Sequence, residues 1–204
     1  IWLGLVGSEM CIRDRGNIGG QAVAEVLFGD VNPSGKLPLT VARSVGQLRM
    51  IYNHKPSAYF HKYADEKKTP LYPFGFGLSY TNYTYGKPTL SNTSLNKENT
   101  ITVTVEITNS GMVDGEEIAQ LYIRDNVSSV TRPVKELKGY QRVALKAGET
   151  KKVNFSLNAE SLAFYDINMN YCVEPGIFTI MTGSSSNRQD LKKTILTIDN
   201  RIEL

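Results

Sequence analysis

The sequence predicts a mainly β protein in which an immunoglobulin-like β-sandwich follows a shorter segment that contains a helix. The first observation is a set of short runs beyond residue 86 in which apolar and polar residues alternate, separated by turns that contain glycine. The second is that these runs number about seven, as in an immunoglobulin-like sandwich. The third is the length of 204 residues, which suits one full domain plus part of another, or two small domains.

The pattern of residues 17–28 (NIGGQAVAEVLF) predicts an amphipathic helix, because apolar residues recur at intervals of four. Gly29 suits the C-terminal cap, where a left-handed backbone ends a helix. Gly19 and Gly20 allow another backbone to approach the first turn, and a helix N-terminus can also bind an anion. The glycine spacing is neither that of a dinucleotide fingerprint nor that of a P-loop, so we favour packing.

The stretch that follows the helix predicts a turn, a short strand and a long loop. Residues 32–35 (NPSG) have the proline and glycine of a tight turn. Residues 37–41 then read as a short strand, whereas residues 44–69 contain few periodic signals and many polar and aromatic side chains. Long loops in compact domains are often functional, so residues 44–69 are a candidate region for a site.

Beyond residue 86, the strongest strand signal is ITVTVEI at residues 101–107, in which every second residue is apolar and β-branched. The segment IAQLYIRD has its main apolar positions at Ile118, Leu121 and Ile123. A short helical turn is predicted at residues 159–164. The other predicted strands lie near residues 88–90 and at residues 118–125, 140–145, 150–158, 177–185 and 192–198.

The composition is that of a soluble globular protein, with 41% hydrophobic and 21% charged residues. A net charge of +3 gives no reason to expect nucleic acid as a partner, and no apolar run is long enough to cross a bilayer. The two cysteines, Cys11 and Cys172, have no metal-ligand spacing, although one disulfide between them is formally possible. We therefore predict no metal site, no cofactor and no membrane partner.

Residues 1–15 (IWLGLVGSEMCIRDR) are expected to be a non-native leader. They have no basic region before the apolar part, as a signal peptide would, and their apolar residues keep neither a helical nor a strand period. The segment is similar to a translated sequencing adapter. The alternative is a native strand, for which IWLGLV is suited.

Residues 70–81 (PLYPFGFGLSYT) combine two prolines, two glycines and four aromatic residues. Prolines stiffen the backbone and glycines allow tight turns, while solvated linkers seldom contain so many aromatic side chains. This combination leaves three interpretations open: a hinge, an active-site loop, or a buried tether between two domains that is anchored by its aromatic residues. These residues are Tyr72, Phe74, Phe76 and Tyr80.

Four segments together resemble the C-terminal part of glycoside hydrolase family 3, of the β-glucosidase type. They are GGQAVAEVLFGDVNPSGKLPLT, SVGQLRMIYNHKPSA, PLYPFGFGLSYT, and GEEIAQLYIRD with the following SSVTRPVKELKGYQRVALKAGE. The resemblance runs from Gly16 to about Ile198 and keeps the order and spacing of the family. It therefore covers nearly all of the chain beyond the leader.

The resemblance implies three domains in the parent enzyme: a barrel that supplies an Asp nucleophile, an α/β sandwich that supplies a Glu acid/base, and a fibronectin type III-like sandwich. On this basis residues 16–69 are the C-terminal remnant of the α/β sandwich domain. Residues 70–85 resemble the family's junction between the two sandwich domains, which implies a fixed tether with its four aromatic side chains packed between domains and some of them left exposed because the upstream domains are missing. Residues 86–204 are the fibronectin type III-like domain.

The resemblance also implies the activity of the parent, a retaining glycosidase that hydrolyses terminal β-D-glucosyl or related residues in oligosaccharides. Both catalytic carboxylates lie upstream of Gly16, so no catalytic residue is assigned in this chain and we expect the chain alone to be inactive. Its role would be scaffold and inter-domain packing, in a parent that is periplasmic or secreted. The alternative is a stand-alone fibronectin-like module that binds carbohydrate or protein.

One group in the long loop is a candidate for contact with substrate. Tyr52, His54 and Lys55 offer an aromatic face and polar groups of the kind that sugar pockets use. The competing interpretation is that this loop packs against the missing first domain.

The carboxylates of the chain are interpreted as helix-face, turn and loop residues; they include Glu25, Asp30, Asp65, Glu66, Glu116 and Glu117.

Overall fold

The computed structural model describes residues 18–47, 50–56 and 65–204, which form two compact units divided between Pro33 and Ser34. The predicted leader at residues 1–15 lies outside the described residues, and so does the middle of the 44–69 loop. No helix in the described part of the chain is long and apolar enough to cross a membrane.

The first unit contains helix α1 (Gly19–Phe28), which confirms the helix predicted at residues 17–28. Gly29 ends the helix as expected: its φ of 86° is left-handed, and its N–H donates to the Val26 carbonyl at 3.2 Å. The apolar side chains of Leu27 and Phe28 are 73% and 85% exposed. The apolar stripe that predicted the helix is therefore largely uncovered.

The second unit begins with a two-stranded ribbon rather than with the strand predicted at residues 37–41. The Leu37 N–H donates to Phe76 O and the Val41 N–H to Tyr72 O, both at 2.8 Å, but only an isolated bridge forms, between Val41 and Tyr72. Pro38 and Pro73 interrupt the ladder, since neither has an N–H to donate. We call this paired segment, residues 34–41 with 70–77, the ribbon.

The first sheet of the sandwich is built around strand β3 (Ile101–Asn109). On one edge β3 pairs with β1 (Tyr83–Tyr85) and then with β2 (Thr89–Leu90), so these two short strands occupy a single position. On its other edge β3 pairs with β6 (Thr150–Leu157). β1 lies within the segment predicted as the tether, residues 70–85, and that segment therefore contributes to the sandwich.

The second sheet has the order β10-β9-β4-β5, and all its strands are antiparallel. Its members are β4 (Gly115–Asp125), β5 (Glu136–Leu145), β9 (Gly176–Gly183) and β10 (Leu191–Ile198). With the three strand positions of the first sheet, the sandwich has seven positions, which confirms the predicted immunoglobulin-like β-sandwich.

A third, small sheet was not predicted, because its strands have only two or three residues and no measurable alternation. Its order is β11-β8-β7, with β7 (Phe164–Tyr165), β8 (Tyr171–Val173) and β11 (Ile202–Glu203). The predicted helical turn before it is confirmed as α2 (Ala159–Leu162), which Asn158 caps by accepting the Ser161 N–H.

The core lies between the two large sheets and follows the alternation in the sequence. The inward residues of β3 are fully buried: Ile101, Val103, Val105 and Ile107. In β4, Leu121 and Ile123 join this core together with Ala119, whereas Ile118 lies on the opposite face. Cys172 is a buried free thiol on β8. Cys11 lies outside the described residues.

Candidate functional site

The outer face of strand β4 is buried, although an outer face of a sandwich sheet is normally solvated. Gln120 and Tyr122 point away from the core but are only 3% and 0% exposed. The ribbon and the nearby Tyr52 cover them. This covered face is where the loop residues singled out in the sequence meet the sandwich.

The apolar part of the covered face is an aromatic cluster. Tyr52 stacks on Phe74 with ring centroids 4.2 Å apart and an angle of 19° between planes, and it meets Tyr122 edge-on at 5.9 Å. Burial raises the pKa of Tyr122, so its phenol stays a hydrogen-bond donor. Three aliphatic side chains complete the cluster: Leu137, Met181 and Leu191.

The polar part of the covered face centres on the carboxamide of Gln120. Its Nε2 donates to Gly75 O at 3.1 Å and to Ser184 O at 2.7 Å, and its Oε1 accepts the Tyr122 hydroxyl at 2.5 Å. Gly75 has a φ of 78°, and a Cβ at this position would overlap the Gln120 carboxamide. Both conditions require glycine.

A buried ion pair fastens the start of the ribbon to the sandwich. Lys36 Nζ lies 2.9 Å from Glu117 Oε2, and the Tyr85 hydroxyl donates to Glu117 Oε1 at 2.8 Å. The Glu117 side chain is 3% exposed and that of Lys36 is 13% exposed. Burial, and then the Glu117 charge, raise the pKa of Tyr85. The phenol thus remains a donor to the carboxylate, as a structural anchor requires.

The three residues predicted to lie near substrate are placed differently from one another. Tyr52 is committed to the aromatic cluster, and its hydroxyl accepts the Leu137 N–H at 3.3 Å. The His54 carbonyl accepts the Val134 N–H at 3.0 Å, while the His54 imidazole Nδ1 lies 3.0 Å from Lys55 O. Lys55 is exposed. Their contact with substrate stays a prediction.

The four aromatic residues of the predicted tether divide into two packed and two exposed side chains. Phe74 belongs to the aromatic cluster, and Phe76 stacks on Tyr72 with centroids 5.0 Å apart. Tyr72 and Tyr80 are 41% and 50% exposed. Some exposure of this group was expected; packing of the group between domains stays a prediction.

Several of the described carboxylates are engaged in structural contacts. Glu25 accepts from Gln21, and Glu66 accepts from Ser44. Glu116 and Glu117 are neighbours in β4 and therefore lie on opposite faces, where Glu116 pairs with Arg142. Within the described ranges, no three histidine, cysteine or acidic side chains converge on a possible metal site.

Sequence reasoning missed Gln120 and Tyr122 as key residues of this face, and it missed Glu117, on the opposite face of β4, as the partner of Lys36. A signal existed in IAQLYIRD: the large side chain of Tyr122 occupies an outward position of a strand whose inward positions are already apolar. A strand with large side chains on both faces is covered on both faces.

Comparison with known proteins finds two family models in the chain. Residues 14–80 match the glycosyl hydrolase family 3 C-terminal domain, and residues 117–186 match the fibronectin type III-like domain. A β-xylosidase of Formosa agariphila is 49% identical over 182 residues, which are 88% of this chain and 25% of that protein. A periplasmic β-glucosidase of Salmonella typhimurium is 45% identical over 183 residues, which are 85% of this chain and 24% of that protein.

Solved structures show the same relationship. A β-glucosidase of Erythrobacter marinus superposes with a TM-score of 0.83 at 45% identity, over 88% of this chain and 24% of that chain. A β-glucosidase of Listeria innocua in complex with glucose superposes with a TM-score of 0.81 at 34% identity, over 89% and 26%. The chain spans about a quarter of the length of these relatives.

Proposed function

Because the chain belongs to glycoside hydrolase family 3, with matches to the family's C-terminal domain at residues 14–80 and to a fibronectin type III-like domain at residues 117–186, we propose that the parent protein is a retaining β-glycosidase. Its substrates are terminal β-D-glucosyl or related β-glycosyl residues, such as β-xylosyl, in oligosaccharides. The observation that carries this proposal is the 49% and 45% identity to a β-xylosidase and a β-glucosidase across both domains.

The chain supplies scaffold rather than chemistry in this proposal. Retaining hydrolysis needs two carboxyl groups about 5 Å apart across the scissile bond. The adjacent pair in this chain, Glu116 and Glu117, lies on opposite faces of a strand and serves Arg142 and Lys36. In this proposal, the catalytic nucleophile and acid/base come from another part of the parent protein.

The buried anchors define what the scaffold does. The Lys36–Glu117 pair and the Tyr52–Phe74–Tyr122 cluster hold the ribbon and residues 50–56 on the sandwich sheet. His54 and Lys55 are thereby presented from a fixed base, and we assign them to the substrate side of the parent enzyme. The alternative of a stand-alone binding module is disfavoured, because residues 14–80 match a domain of the hydrolase family.

We further propose that the parent is exported to the periplasm or secreted. The support is the relative from Salmonella typhimurium, which is named a periplasmic β-glucosidase.

Activity measurements on two proteins test the proposed function. The 204-residue chain should release no nitrophenol from aryl β-glucosides or β-xylosides. The protein encoded by the gene extended upstream should release it from at least one of them. Hydrolysis by the purified chain at enzymatic rates, or inactivity of the extended protein on both substrates, would overturn the proposal.

Substitution in the extended protein tests the substrate-side assignment. His54→Ala together with Lys55→Ala should raise KM, whereas Tyr140→Ala, at a 74% exposed position on β5, should leave it unchanged. Unchanged kinetics in both variants would remove His54 and Lys55 from the substrate side.

A further inference from the structure

The hairpin between β7 and β8, residues 165–171, presents an apolar face to solvent. Its alternate residues Tyr165, Ile167 and Met169 are 58%, 72% and 74% exposed, and Tyr171 is 36% exposed. Asp166 within the hairpin and Cys172 at its end are buried, at 4% and 0% exposed. Four large side chains are therefore exposed on one short hairpin, whereas exposed apolar residues on an ordinary surface are scattered singly.

Buried polar contacts hold this hairpin in one conformation. Asp166 Oδ1 accepts the backbone N–H groups of Asn168 and Asn170 at 2.8 and 2.9 Å, and Asp166 Oδ2 accepts Arg201 Nη2 at 2.6 Å. The hydrogen bond from Arg201 lowers the pKa of the Asp166 carboxyl, so it is charged at neutral pH. The exposed face is therefore pre-organised.

The hairpin also retains an unfavourable backbone conformation. Met169 has a φ of 63°, and among the described residues no other side-chain-bearing residue has a positive φ. Left-handed backbone is rare for a residue other than glycine, asparagine or aspartate, and such conformations concentrate at recognition sites. Here it places Met169 in solvent, where its side chain contributes little to the core.

The two tyrosines of the hairpin form a paired aromatic surface. Tyr165 and Tyr171 are register partners across β7 and β8, with ring centroids 5.0 Å apart and an angle of 41° between the rings. Asn168 and Asn170 are exposed beside them, and within the described chain their carboxamides make no hydrogen bond. The hairpin thus combines apolar aromatic faces with free donors and acceptors.

We propose that this hairpin is a binding surface for a neutral β-linked glycan chain. Pyranose rings offer apolar C–H faces that pack on tyrosine rings, and hydroxyl groups that pair with carboxamides. Asp166 is the only acidic or basic residue of the hairpin, and it is paired with Arg201, which also pairs with Glu203 on the adjacent strand β11; the hairpin itself therefore has no unpaired charge. A neutral polymer is complementary to it. The assignment of β-linkages to the ligand rests on the proposed function. The assignment of a neutral sugar polymer rests on the side chains of the hairpin.

Affinity electrophoresis of the 204-residue chain tests the proposal, with soluble mixed-linkage β-glucan and xylan as the probes. At least one polysaccharide should retard the unsubstituted chain. Tyr165→Ala and Tyr171→Ala should each raise its dissociation constant about tenfold, since each removes one stacking surface. Tyr171→Trp should keep binding. Tyr140→Ala is the matched control, because this tyrosine is 74% exposed on β5 and belongs to no ring pair among the described residues.

Several outcomes would overturn the proposal. These are the absence of retardation by both polysaccharides, or an equal loss in Tyr140→Ala. A third is self-association of the chain, measured by sedimentation velocity, that Tyr165→Ala abolishes and that glycan does not affect. That result would assign the hairpin to a protein interface. Melting temperatures equal to that of the unsubstituted chain exclude unfolding as the cause. Binding by this chain is measured without hydrolysis, so it can succeed or fail independently of the proposed glycosidase activity.

Discussion

At the residue scale, Gly75 is the position with the sharpest steric requirement. Gly75→Ala should lower the free energy of unfolding by at least about 2 kcal/mol, because a left-handed alanine is strained by about 1 kcal/mol and its Cβ overlaps the Gln120 carboxamide. Urea unfolding followed by circular dichroism measures this loss.

Gly148 provides the matched control for Gly75. Its φ is 76°, but a Cβ there would meet nothing within 4 Å. Gly148→Ala should therefore cost only the backbone strain, about 1 kcal/mol. Equal losses in the two variants would show that the contact between Gly75 and Gln120 contributes nothing.

The stability of the folded chain should depend on pH in part through the carboxyl group of Asp166. The hydrogen bond from Arg201 lowers the pKa of Asp166 in the folded state, so the carboxylate stabilises the fold above the ordinary Asp pKa of about 3.9. That contribution is lost as pH falls through the lowered pKa. The chain should therefore be more stable than Asp166→Asn at pH 5 to 7, and the difference should shrink below about pH 4.

Urea midpoints measured between pH 7 and pH 2 test this dependence. Asp199→Asn is the control, since Asp199 is exposed and makes no ion pair with another described residue. A stability difference between the chain and Asp166→Asn that stays constant down to pH 2 would contradict the assigned role of the carboxylate.

At the element scale, the Lys36–Glu117 pair joins the ribbon to strand β4. Glu117→Gln should cost about 3 kcal/mol, because it leaves the mostly buried Lys36 charge without its partner. Lys36→Met combined with Glu117→Gln should cost less than the sum of the two single changes, with a coupling of about 1–2 kcal/mol. A double-mutant cycle from urea unfolding measures this coupling.

The exposed pair of Lys152 and Glu106 is the control for that cycle. Its nitrogen and oxygen lie 3.7 Å apart, and the two side chains are 69% and 59% exposed. Its coupling should be below about 0.5 kcal/mol. If the two cycles give the same coupling, the buried pair does not fasten the ribbon.

At the scale of the whole molecule, the sandwich depends on residues that precede it. A protein of residues 86–204 should fold cooperatively, since about 120 residues suffice for a sandwich core. It lacks β1 and the Tyr52–Phe74 cover, however, so Tyr122, Met181 and Leu191 become exposed. It should therefore be less stable than residues 34–204 and should bind a hydrophobic dye that the longer protein does not bind.

Thermal unfolding and dye fluorescence of the two proteins measure this difference. Tyr122→Ser in residues 86–204 is a matched variant: it should reduce dye binding, because it removes the largest uncovered side chain. Equal stability and equal dye binding in the two proteins would show that the covered face is not part of the folding unit.

Much of the fold could be predicted from the sequence, because most of its strands and its main helix show a local period of apolar residues. The alternation of Ile101, Val103, Val105 and Ile107 predicted β3 and its buried face, and Gly29 predicted the end of α1. The strand predicted at residues 37–41 was wrong, since the prolines leave an isolated bridge. The strands β7, β8 and β11 could not be predicted, because two or three residues do not establish a period.

The sequence by itself determined the two large sheets, the helix and the family, since each rests on a local pattern or on a long ordered motif. Only the tertiary structure decided which polar residues are buried. Gln120 reaches Gly75 across 45 positions, and Glu117 reaches Lys36 across 81. Such contacts depend on which face of a strand is covered by a segment distant in sequence. A local sequence pattern does not indicate which face is covered in this way. The same reason explains why the aromatic pair of Tyr165 and Tyr171 became visible only when the chain was folded.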